Sequence, residues 1–389
     1  MDTGASDRSK STSKSERVFD HLVRLIENSE PNTRLPSVRG LMTRFGVSQA
    51  TVTAAISRLE RQGALDRRQG SGIYSSSAAR TRPTLLLIDS DAALSPSPFW
   101  TVLVNALRDL YAGTESPLQV HFTQSIEKER SSVSVQDLLG TSLAEAIASR
   151  KFSGVYSVCQ NDAVLDAIRD ADLPSVGFGC AAKYHIHMAY LEACQLGVNA
   201  LARLGCRTVS LYRPSHTTSR EVFLATMRAQ GLTEIALPNA DPPPLFQHRS
   251  PYSRTTEQGY WSAVAAYGPD SNKVDRPDGV IILEDMFALG FLMGLQAMGL
   301  QVGRDVKVAS HVNVESPILL AWQRQIVSLK FSVVNIASVM HVAMEALRLG
   351  TEPTDAWEKA TWNLADRGPF RVAMLFPTVT LPNEAVDFS

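Results

Sequence analysis

Residues 34–72 bring together arginines, small polar side chains and glycines, which are the groups that bind phosphates and read base edges. The stretch reads RLPSVRGLMTRFGVSQATVTAAISRLERQGALDRRQGSG, and between Arg34 and Arg68 it holds seven arginines and two acids. Residues 1–77 carry 12 lysines and arginines against 8 acids, whereas the whole chain of 389 residues has a net charge of −1. This uneven distribution indicates an anionic partner for the N-terminal part. Charge alone leaves open the alternative of an accidental run of solvated arginines.

Three short amphipathic patterns would position these groups. The first, SERVFDHLVRLIENSE, has apolar residues at the i, i+3, i+4, i+7 spacing of a helix with one buried face. Ser37 is placed to cap a second helix, VRGLMTRF, and Ser48 to cap a third, QATVTAAISRLERQG. Gly46 lies between these two helices, where a tight turn needs a positive φ.

The third helix is unusual on its outward side. Solvent-facing helix sides usually carry Glu and Lys, but this one carries short uncharged residues: Ala50, Thr53, Ala54 and Ser57. A face of this kind can approach closely into a DNA major groove. Ser48, at the start of the helix, can offer its hydroxyl and backbone N–H to a phosphate.

A β-wing is predicted after the third helix. The segment ALDRRQGSGIYSS predicts two short strands around a Gly-rich turn, with Arg67, Arg68 and Gln69 at the tip. Gly70 and Gly72 would let that backbone approach a sugar-phosphate surface.

Over about forty residues this run resembles the winged helix-turn-helix of the GntR family of bacterial transcription regulators. The resemblance implies contacts to double-stranded DNA from Arg39 in PSVR, from Ser48 and Thr51 in VSQAT, and from Gly70 at the wing. Gln49 stands where the family often has Arg, and Gln favours adenine where Arg favours guanine. The predicted DNA-binding residues are Arg34, Ser37, Arg39, Ser48, Gln49, Ala50, Thr51, Thr53, Arg67, Arg68, Gln69 and Gly70. A winged helix used only for protein contact is the alternative.

The rest of the chain alternates apolar strands with helices, as in TLLLID followed by FWTVLVNALRDLYAG. This alternation predicts an α/β fold with parallel sheets covered on both faces, and its length suits two doubly wound lobes. We expect a disordered tail at 1–14, a winged helix-turn-helix domain at 15–77, a linker at 78–83 and a two-lobed domain at 84–389. In parallel sheets, ligands bind beyond the carboxyl ends of the strands.

The stretch DGVIILEDMFALGFLMGLQAMGLQVGRDVKVAS resembles the effector domain of LacI/GalR-type repressors, which is related to periplasmic binding proteins, and ALARLGCRTVSLY matches a second motif of that family. A GntR-type head on such a body also resembles the arabinose-repressor architecture. The resemblance implies a small-molecule effector, a sugar or another metabolite, bound in a cleft between the lobes. Phe99 and Trp100 from the first lobe would form an apolar wall, and core anchoring is the alternative for these two. The other predicted effector-binding residues are Arg220, Glu284, Asp285 and Asn313.

This chain departs from the LacI pattern at several ligand positions. Val312 and Asn313 replace the family's paired aspartates, His311 replaces an aromatic residue, and Ala189 stands where an Asp is frequent. These changes remove acceptors that grip hydroxyl groups. They leave two readings open, an unusual or charged effector or a vestigial pocket.

No catalytic motif, cofactor motif or membrane span occurs in the sequence, so we expect no enzyme activity, no cofactor and no membrane partner. His185 and His187 share a strand face like a metal pair, but no further ligand cluster lies nearby in sequence, and a solvated or capping role is expected. The four cysteines lack metal-ligand spacing, which is typical of reduced thiols in the cytoplasm. The sequence predicts a cytoplasmic, homodimeric DNA-binding regulator that is controlled by an effector and acts as a repressor. The alternatives are a body that serves only dimerisation or protein interaction and, more remotely, an enzyme.

Overall fold

The computed structural model describes residues 14–27, 29–61, 63–76, 82–90, 97–114, 116–124, 133–158, 160–180, 182–212, 220–238, 254–349, 371–375 and 377–382. Residues 1–13 of the expected tail and residues 78–81 of the expected linker lie outside the described residues, and so does Cys159. The chain divides into two compact units. The first contains residues 1–88, 111–183 and 341–356, and the second contains residues 89–110, 184–340 and 357–389.

The N-terminal part of the first unit is a three-helix head with a two-stranded wing. Its elements are α1 (Lys14–Glu27), α2 (Val38–Phe45), α3 (Gln49–Arg61), β1 (Leu65–Arg68) and β2 (Gly72–Ser75). The two strands pair antiparallel, with Arg68 opposite Gly72. The apolar positions predicted from the sequence form one core, including the buried side chains of Val18, Phe19, Leu22, Leu41, Val52, Ile56 and Leu59.

The predicted boundaries of the head helices follow from specific caps. The hydroxyl of Ser37 accepts a hydrogen bond from the backbone N–H of Gly40 at 3.1 Å and so begins α2. Gly46 ends α2 in the left-handed conformation, with φ of 60°. The hydroxyl of Ser48 accepts from the backbone N–H of Thr51 at 3.3 Å and begins α3.

The first large sheet has six strands in the order β4-β3-β5-β6-β7-β13. They are β3 (Thr84–Ile88), β4 (Leu118–Phe122), β5 (Gly154–Val158), β6 (Ser175–Phe178), β7 (Tyr184–Met188) and β13 (Arg371–Leu375). β3 pairs in parallel with both β4 and β5, and β7 pairs in parallel with β13. The helices connected to these strands are α4 (Pro98–Leu110), α5 (Val135–Leu139), α6 (Thr141–Ala148) and α7 (Asp162–Asp170).

The second large sheet has the order β14-β12-β11-β10-β8-β9. Its strands are β8 (Thr208–Tyr212), β9 (Thr233–Glu234), β10 (Gly279–Ile282), β11 (Lys307–Asn313), β12 (Val327–Phe331) and β14 (Thr378–Thr380), and only β14 runs antiparallel. Its helices are α8 (Tyr190–Arg203), α9 (Arg220–Ala229), α10 (Arg254–Tyr267), α11 (Asp285–Ala297) and α12 (Val333–Leu349). Short 3₁₀ turns occupy Lys273–Asp275 and Leu320–Trp322. The predicted α/β class with two parallel sheets is confirmed.

Helices α10 and α11 pack unusually closely because three glycines lie at their contact. A Cβ added at Gly290 would collide with the carbonyl oxygen of Thr256, and one at Gly259 would collide with the carbonyl oxygen of Phe287. A Cβ added at Gly294 would lie 2.7 Å from the carbonyl oxygen of Tyr260. The backbones therefore approach to a separation that a side chain at these positions would prevent. This packing holds α11, and with it Asp285 at its first position, on the second sheet.

Phe99 and Trp100, expected in the first lobe, lie in residues 89–110, which group with the second unit together with β7 and β13 of the first sheet. The solvated or capping role of the histidine pair stays a prediction. The rings of His185 and His187 lie 4.8 Å apart and are partly buried. Within the described residues, no group of three His, Cys, Asp or Glu side chains could hold a metal ion. In the same part of the chain, no helix is both long and apolar enough to cross a membrane.

Candidate DNA-binding surface and effector site

The outer face of α3 is open at its N-terminal half. Gln49 and Ala50 are exposed and Thr51 and Thr53 are partly exposed. The hydroxyls of Ser48 and Thr51 lie 3.0 Å apart. Ser48 thus holds the start of α3 in place, and the unsatisfied backbone N–H groups of the first helical turn form a ready anion site. The first turn contains no acidic residue to compete for that site.

Arg39 is exposed on α2, two residues after the Ser37 cap. Its backbone carbonyl accepts a hydrogen bond from the Thr43 hydroxyl at 3.0 Å, which fixes the turn that carries its side chain. Arg58, in the C-terminal half of α3, places its guanidinium 3.9 Å from the ring centre of Phe19. Arg58 therefore contributes to head packing, whereas Arg39 presents its charge to solvent.

The wing differs from the predicted arrangement in one respect. Its tip is formed by residues 69–71, whereas Arg67 and Arg68 are the last residues of β1. Arg67 lies 3.6 Å from the carboxylate of Glu60, and Arg68 donates a 2.7 Å hydrogen bond to Asn32. Both arginines are exposed, and each has a partner within the head. Gln69 and Gly70 remain at the tip, and Gly70 has φ of 74°.

Contacts around the wing were not predicted from the sequence. The guanidinium of Arg68 lies 4.5 Å from the ring centre of Tyr74, and the Tyr74 hydroxyl lies 2.8 Å from that of Ser71. Asn32 has a positive φ of 62°, a conformation that Asn tolerates better than most residues. Arg34 packs across Gly72, since its Nε lies 3.3 Å from where a Cβ would stand.

The second unit contains a buried polar cluster formed by Ser97, Asp285, Asn313 and His311. The Asp285 carboxylate accepts a 2.8 Å hydrogen bond from Nδ2 of Asn313, and the Ser97 hydroxyl lies 3.3 Å from it. Nε2 of His311 lies 3.0 Å from Oδ1 of Asn313. The four side chains are 2–8% exposed. Because Nδ2 of Asn313 donates to the Asp285 carboxylate, the amide oxygen of Asn313 is left to accept from His311, which assigns a proton to Nε2 of His311.

The position of this cluster follows from the sheet. Asn313 ends β11, and Asp285 stands three residues after the end of the neighbouring strand β10. The carboxyl ends of parallel strands meet at one edge, where ligands bind in this class of fold. Asp285 and Asn313, both predicted from the sequence, are therefore brought into direct contact.

Glu284 has a structural role that the sequence analysis did not foresee. Its carboxylate caps α11 by accepting a hydrogen bond from the backbone N–H of Phe287. Burial, followed by the negative charge of Asp285, raises the pKa of Glu284 to about 8. Burial also lowers the pKa of His311, against the opposing influence of Asp285. The capping contact directs the Glu284 carboxylate to its own helix, so the prediction that it binds an effector is not supported by its geometry.

Aromatic rings surround the polar cluster within the second unit. The His311 ring centre lies 5.7 Å from that of Tyr190 and 5.0 Å from that of Phe331. Tyr190 is the first residue of α8 and Phe331 ends β12, so both stand at element ends. Rings combined with hydrogen-bonding groups suit ligands that have both apolar and hydroxyl surfaces. The sequence analysis did not predict Ser97, Tyr190 and Phe331. They are far apart in the sequence, and only the fold brings them together.

The other predicted effector residues lie in different surroundings. Phe99 is 6% exposed and contacts Trp100 edge to face at 4.7 Å, which supports the core-anchor alternative for Phe99. Arg220, the first residue of α9, donates a 2.6 Å hydrogen bond to Glu234 and keeps 62% of its side chain exposed. The hydrogen bonds of the Asp285 cluster do not include Arg220. The structure therefore pairs this arginine with an edge-strand carboxylate rather than with the predicted partners.

Fold and sites together define a winged helix-turn-helix head joined to a two-sheet domain of the periplasmic-binding-protein type. Residues 14–74 match the family model described as bacterial regulatory proteins, gntR family. Residues 198–347 match the model of a periplasmic binding protein-like domain. The predicted pairing of these two domain types is confirmed. No curated protein matches this sequence.

Several solved structures share the fold. The transcriptional regulator CelR in complex with cellobiose is 14% identical, with a TM-score of 0.53 over 87% of this chain and 92% of that chain. A LacI family transcriptional regulator from Arthrobacter sp. FB24 in complex with lactose is 15% identical, with a TM-score of 0.53 over 77% and 98%. The lac repressor dimer bound to operator and the anti-inducer ONPF is 13% identical, with a TM-score of 0.55 over 77% and 92%. At these identities the likeness establishes the fold.

Proposed function

We propose that this protein is a DNA-binding transcriptional regulator controlled by a small molecule. The outer face of α3 carries this proposal. Gln49 and Ala50 stand exposed beside a Ser48-capped helix N-terminus, with Arg39 exposed nearby. A short, uncharged helix face flanked by anion-binding groups suits a major groove, where phosphate contacts position the helix and base contacts specify the sequence. The gntR match over residues 14–74 supports the same conclusion.

The effector site of this proposal is the cluster of Asp285, Asn313 and His311. Its acceptors and donors, set among aromatic rings, suit a neutral hydroxyl-bearing ligand such as a sugar. The complexes of similar structures with cellobiose and lactose support this ligand class. A bound sugar would replace some of the hydrogen bonds that Asp285, Asn313 and His311 make with one another.

One observation favours a second candidate, a body without a ligand. Asp285, Asn313, His311 and Ser97 already hydrogen-bond among themselves and are almost fully buried. Such a closed network stabilises a domain without an effector. In that case the body would serve dimerisation or protein contact.

The remaining features of the proposal concern assembly and location. A single winged helix buries too little surface for tight specific binding, so a homodimer on a two-fold operator is expected. The domain limits are 15–77 for the head and 84–389 for the body. The protein acts in the cytoplasm, without enzyme activity, metal or cofactor.

Two measurements test these proposals. In vitro selection from random duplexes should return a two-fold symmetric site for the wild-type protein and a weaker enrichment for Arg39→Ala at the same concentration. Thermal unfolding with cellobiose, lactose and a panel of other sugars should show a raised midpoint for at least one sugar, which Asp285→Ala abolishes. No enriched sequence would refute the DNA-binding function, and no shift with any sugar would favour the ligand-free body.

A further inference from the structure

The turn that follows the recognition helix α3 is in contact with a side chain from outside the head. Gly63, in this turn, is buried and has φ of 65°. A Cβ added at Gly63 would collide with Nη1, Cζ and Nη2 of Arg82. The guanidinium of Arg82 therefore lies directly against the glycine. A positive charge beside the C-terminal end of α3 also complements the helix dipole.

The backbone of Arg82 is attached to the first large sheet. Its carbonyl oxygen accepts a hydrogen bond from the hydroxyl of Ser116. The carbonyl of Pro83 accepts from the backbone N–H of Ser153 at 3.0 Å, and β3 starts at the next residue. The main chain of Arg82 is thus hydrogen-bonded beside the first sheet, and its side chain contacts Gly63 of the head.

A second contact reaches the head from the end of α12. Leu349, the last residue of that helix, is partly buried against the apolar core of the head. The preceding turn is braced by a 2.9 Å ion pair between Arg348 and Glu345, and His341 packs edge to face on Tyr111 at 5.2 Å. The boundary between the two units falls within this same helix, between Met340 and His341. Because the helix is continuous from Val333 to Leu349, a movement of α12 as a whole would also move Leu349.

We infer that Arg82 and Leu349 are positioning residues, which hold the DNA-binding head in a fixed orientation on the first sheet. This inference rests on the proposed function only for its consequence, that the orientation of α3 governs operator binding. The head is then held by packing contacts to the first sheet, in addition to its covalent connection through the expected linker. Arg82 acts through Gly63, and Leu349 acts through the head core.

The contact itself is tested without DNA by a double-mutant cycle on the full chain. Gly63→Ala should lower the thermal midpoint through the positive φ and because the added methyl group displaces the Arg82 guanidinium from its contact with residue 63. In an Arg82→Ala background, the same substitution should lower the midpoint clearly less, because only the backbone strain remains. Additive shifts would overturn the contact.

The docking is tested by hydrogen–deuterium exchange in the full chain. Leu349→Ser and Arg82→Ala should each speed exchange in peptides spanning residues 59–66, while peptides from β5 and α7 keep the wild-type rates. Val342→Ser is the matched control, since Val342 lies on the same helix but is 37% exposed. Unchanged exchange at residues 59–66 in both variants, or an equal change in the control, would overturn the inference.

The consequence is tested by operator titration at several salt concentrations. An undocked head meets the second half-site at a lower effective concentration, so Arg82→Ala should weaken binding by about tenfold. The slope of affinity against salt should stay the same, whereas loss of a direct phosphate contact would lower it by about one. A lowered slope, or unchanged affinity, would overturn the positioning role. Failure of the wild-type protein to bind any duplex would refute the proposed function and leave the exchange result standing.

Discussion

At the residue scale, the identity of one side chain on α3 sets a prediction about sequence preference. Gln49 is exposed at the first position of the helix. Glutamine pairs with adenine through two hydrogen bonds, whereas arginine pairs with guanine. Gln49→Arg should therefore move the preference toward guanine at one position per half-site, with about 1–3 kcal/mol of discrimination. Selection experiments on both proteins measure this directly, and an identical consensus would show that Gln49 reads no base.

A second residue-scale prediction concerns Glu284, whose pKa is raised to about 8 by burial and by Asp285. A carboxyl group with a raised pKa stabilises the fold at low pH and loses that contribution as the pH rises through the folded value. The stability contributed by Glu284 should therefore fall between about pH 4.5 and pH 8. In Glu284→Gln, the amide oxygen can still accept from the Phe287 N–H but carries no charge.

Urea unfolding at a series of pH values measures this difference. Because one pKa unit corresponds to about 1.4 kcal/mol and the pKa of Glu284 rises from 4.5 to about 8, Glu284→Gln should gain up to about 5 kcal/mol over the wild type at pH 9 and little at pH 5. The lowered pKa values of His185, His187 and His311 make the stability rise with pH. This effect is the same in both proteins, so it cancels when their stabilities are compared. Parallel stability curves across this range would contradict the assignment.

At the element scale, the close packing of α10 on α11 gives a stability prediction. A methyl group at Gly290 would collide with the backbone carbonyl of Thr256, which cannot move independently of its helix. Gly290→Ala should therefore destabilise the protein by about 1–3 kcal/mol or more, since the two helices must separate. It should also displace Asp285 at the start of α11.

The control for this prediction is the same substitution in a helix that has space. A Cβ at Gly40 on α2 would meet only the Ser37 hydroxyl, at 3.4 Å. Gly40→Ala should be neutral or stabilise by up to about 1 kcal/mol, because alanine favours helix. Urea unfolding compares the two variants. Equal effects would show that helix propensity, and not the close approach, governs Gly290.

Elements of the head could be predicted from the sequence because their signals are local. Ser37, Gly46 and Ser48 cap or end helices through contacts within three or four residues, and those contacts are found as expected. The alternation of strands and helices likewise predicted two parallel sheets. Contacts between distant residues left no such signal. The engagement of Arg68 by Asn32, and of Arg220 by Glu234, depends on which elements become neighbours.

The same limit applies to the candidate effector site. The resemblance to a known family pointed to Asp285 and Asn313, and the structure joins them by a hydrogen bond. Ser97 is 188 positions from Asp285 in sequence, so no periodic pattern could connect them. Glu284 was predicted from its place beside Asp285, but its geometry as a helix cap depends on the local backbone, which the motif did not specify.

At the scale of the whole molecule, we assign operator binding to the head and effector binding to the second unit. Arg39 and Asp285 belong to different units. Arg39→Ala should weaken operator binding by about 1–3 kcal/mol if it reads a base, or lower the salt slope by about one if it holds a phosphate. Arg169→Ala is the charge-matched control, because it removes an exposed surface arginine of α7 and should leave operator affinity unchanged.

The most direct test is operator affinity, measured by fluorescence anisotropy with and without each sugar of the panel, for the wild type, Arg39→Ala and Asp285→Ala. The account predicts that one sugar changes wild-type affinity by about 5–150-fold, as coupled sites typically do. Asp285→Ala should bind the operator as the wild type does and lose this response, whereas Arg39→Ala should bind weakly and retain thermal stabilisation by the sugar. A folded Asp285→Ala protein that no longer binds the operator, or an Arg39→Ala protein that binds it as the wild type does, would contradict the account.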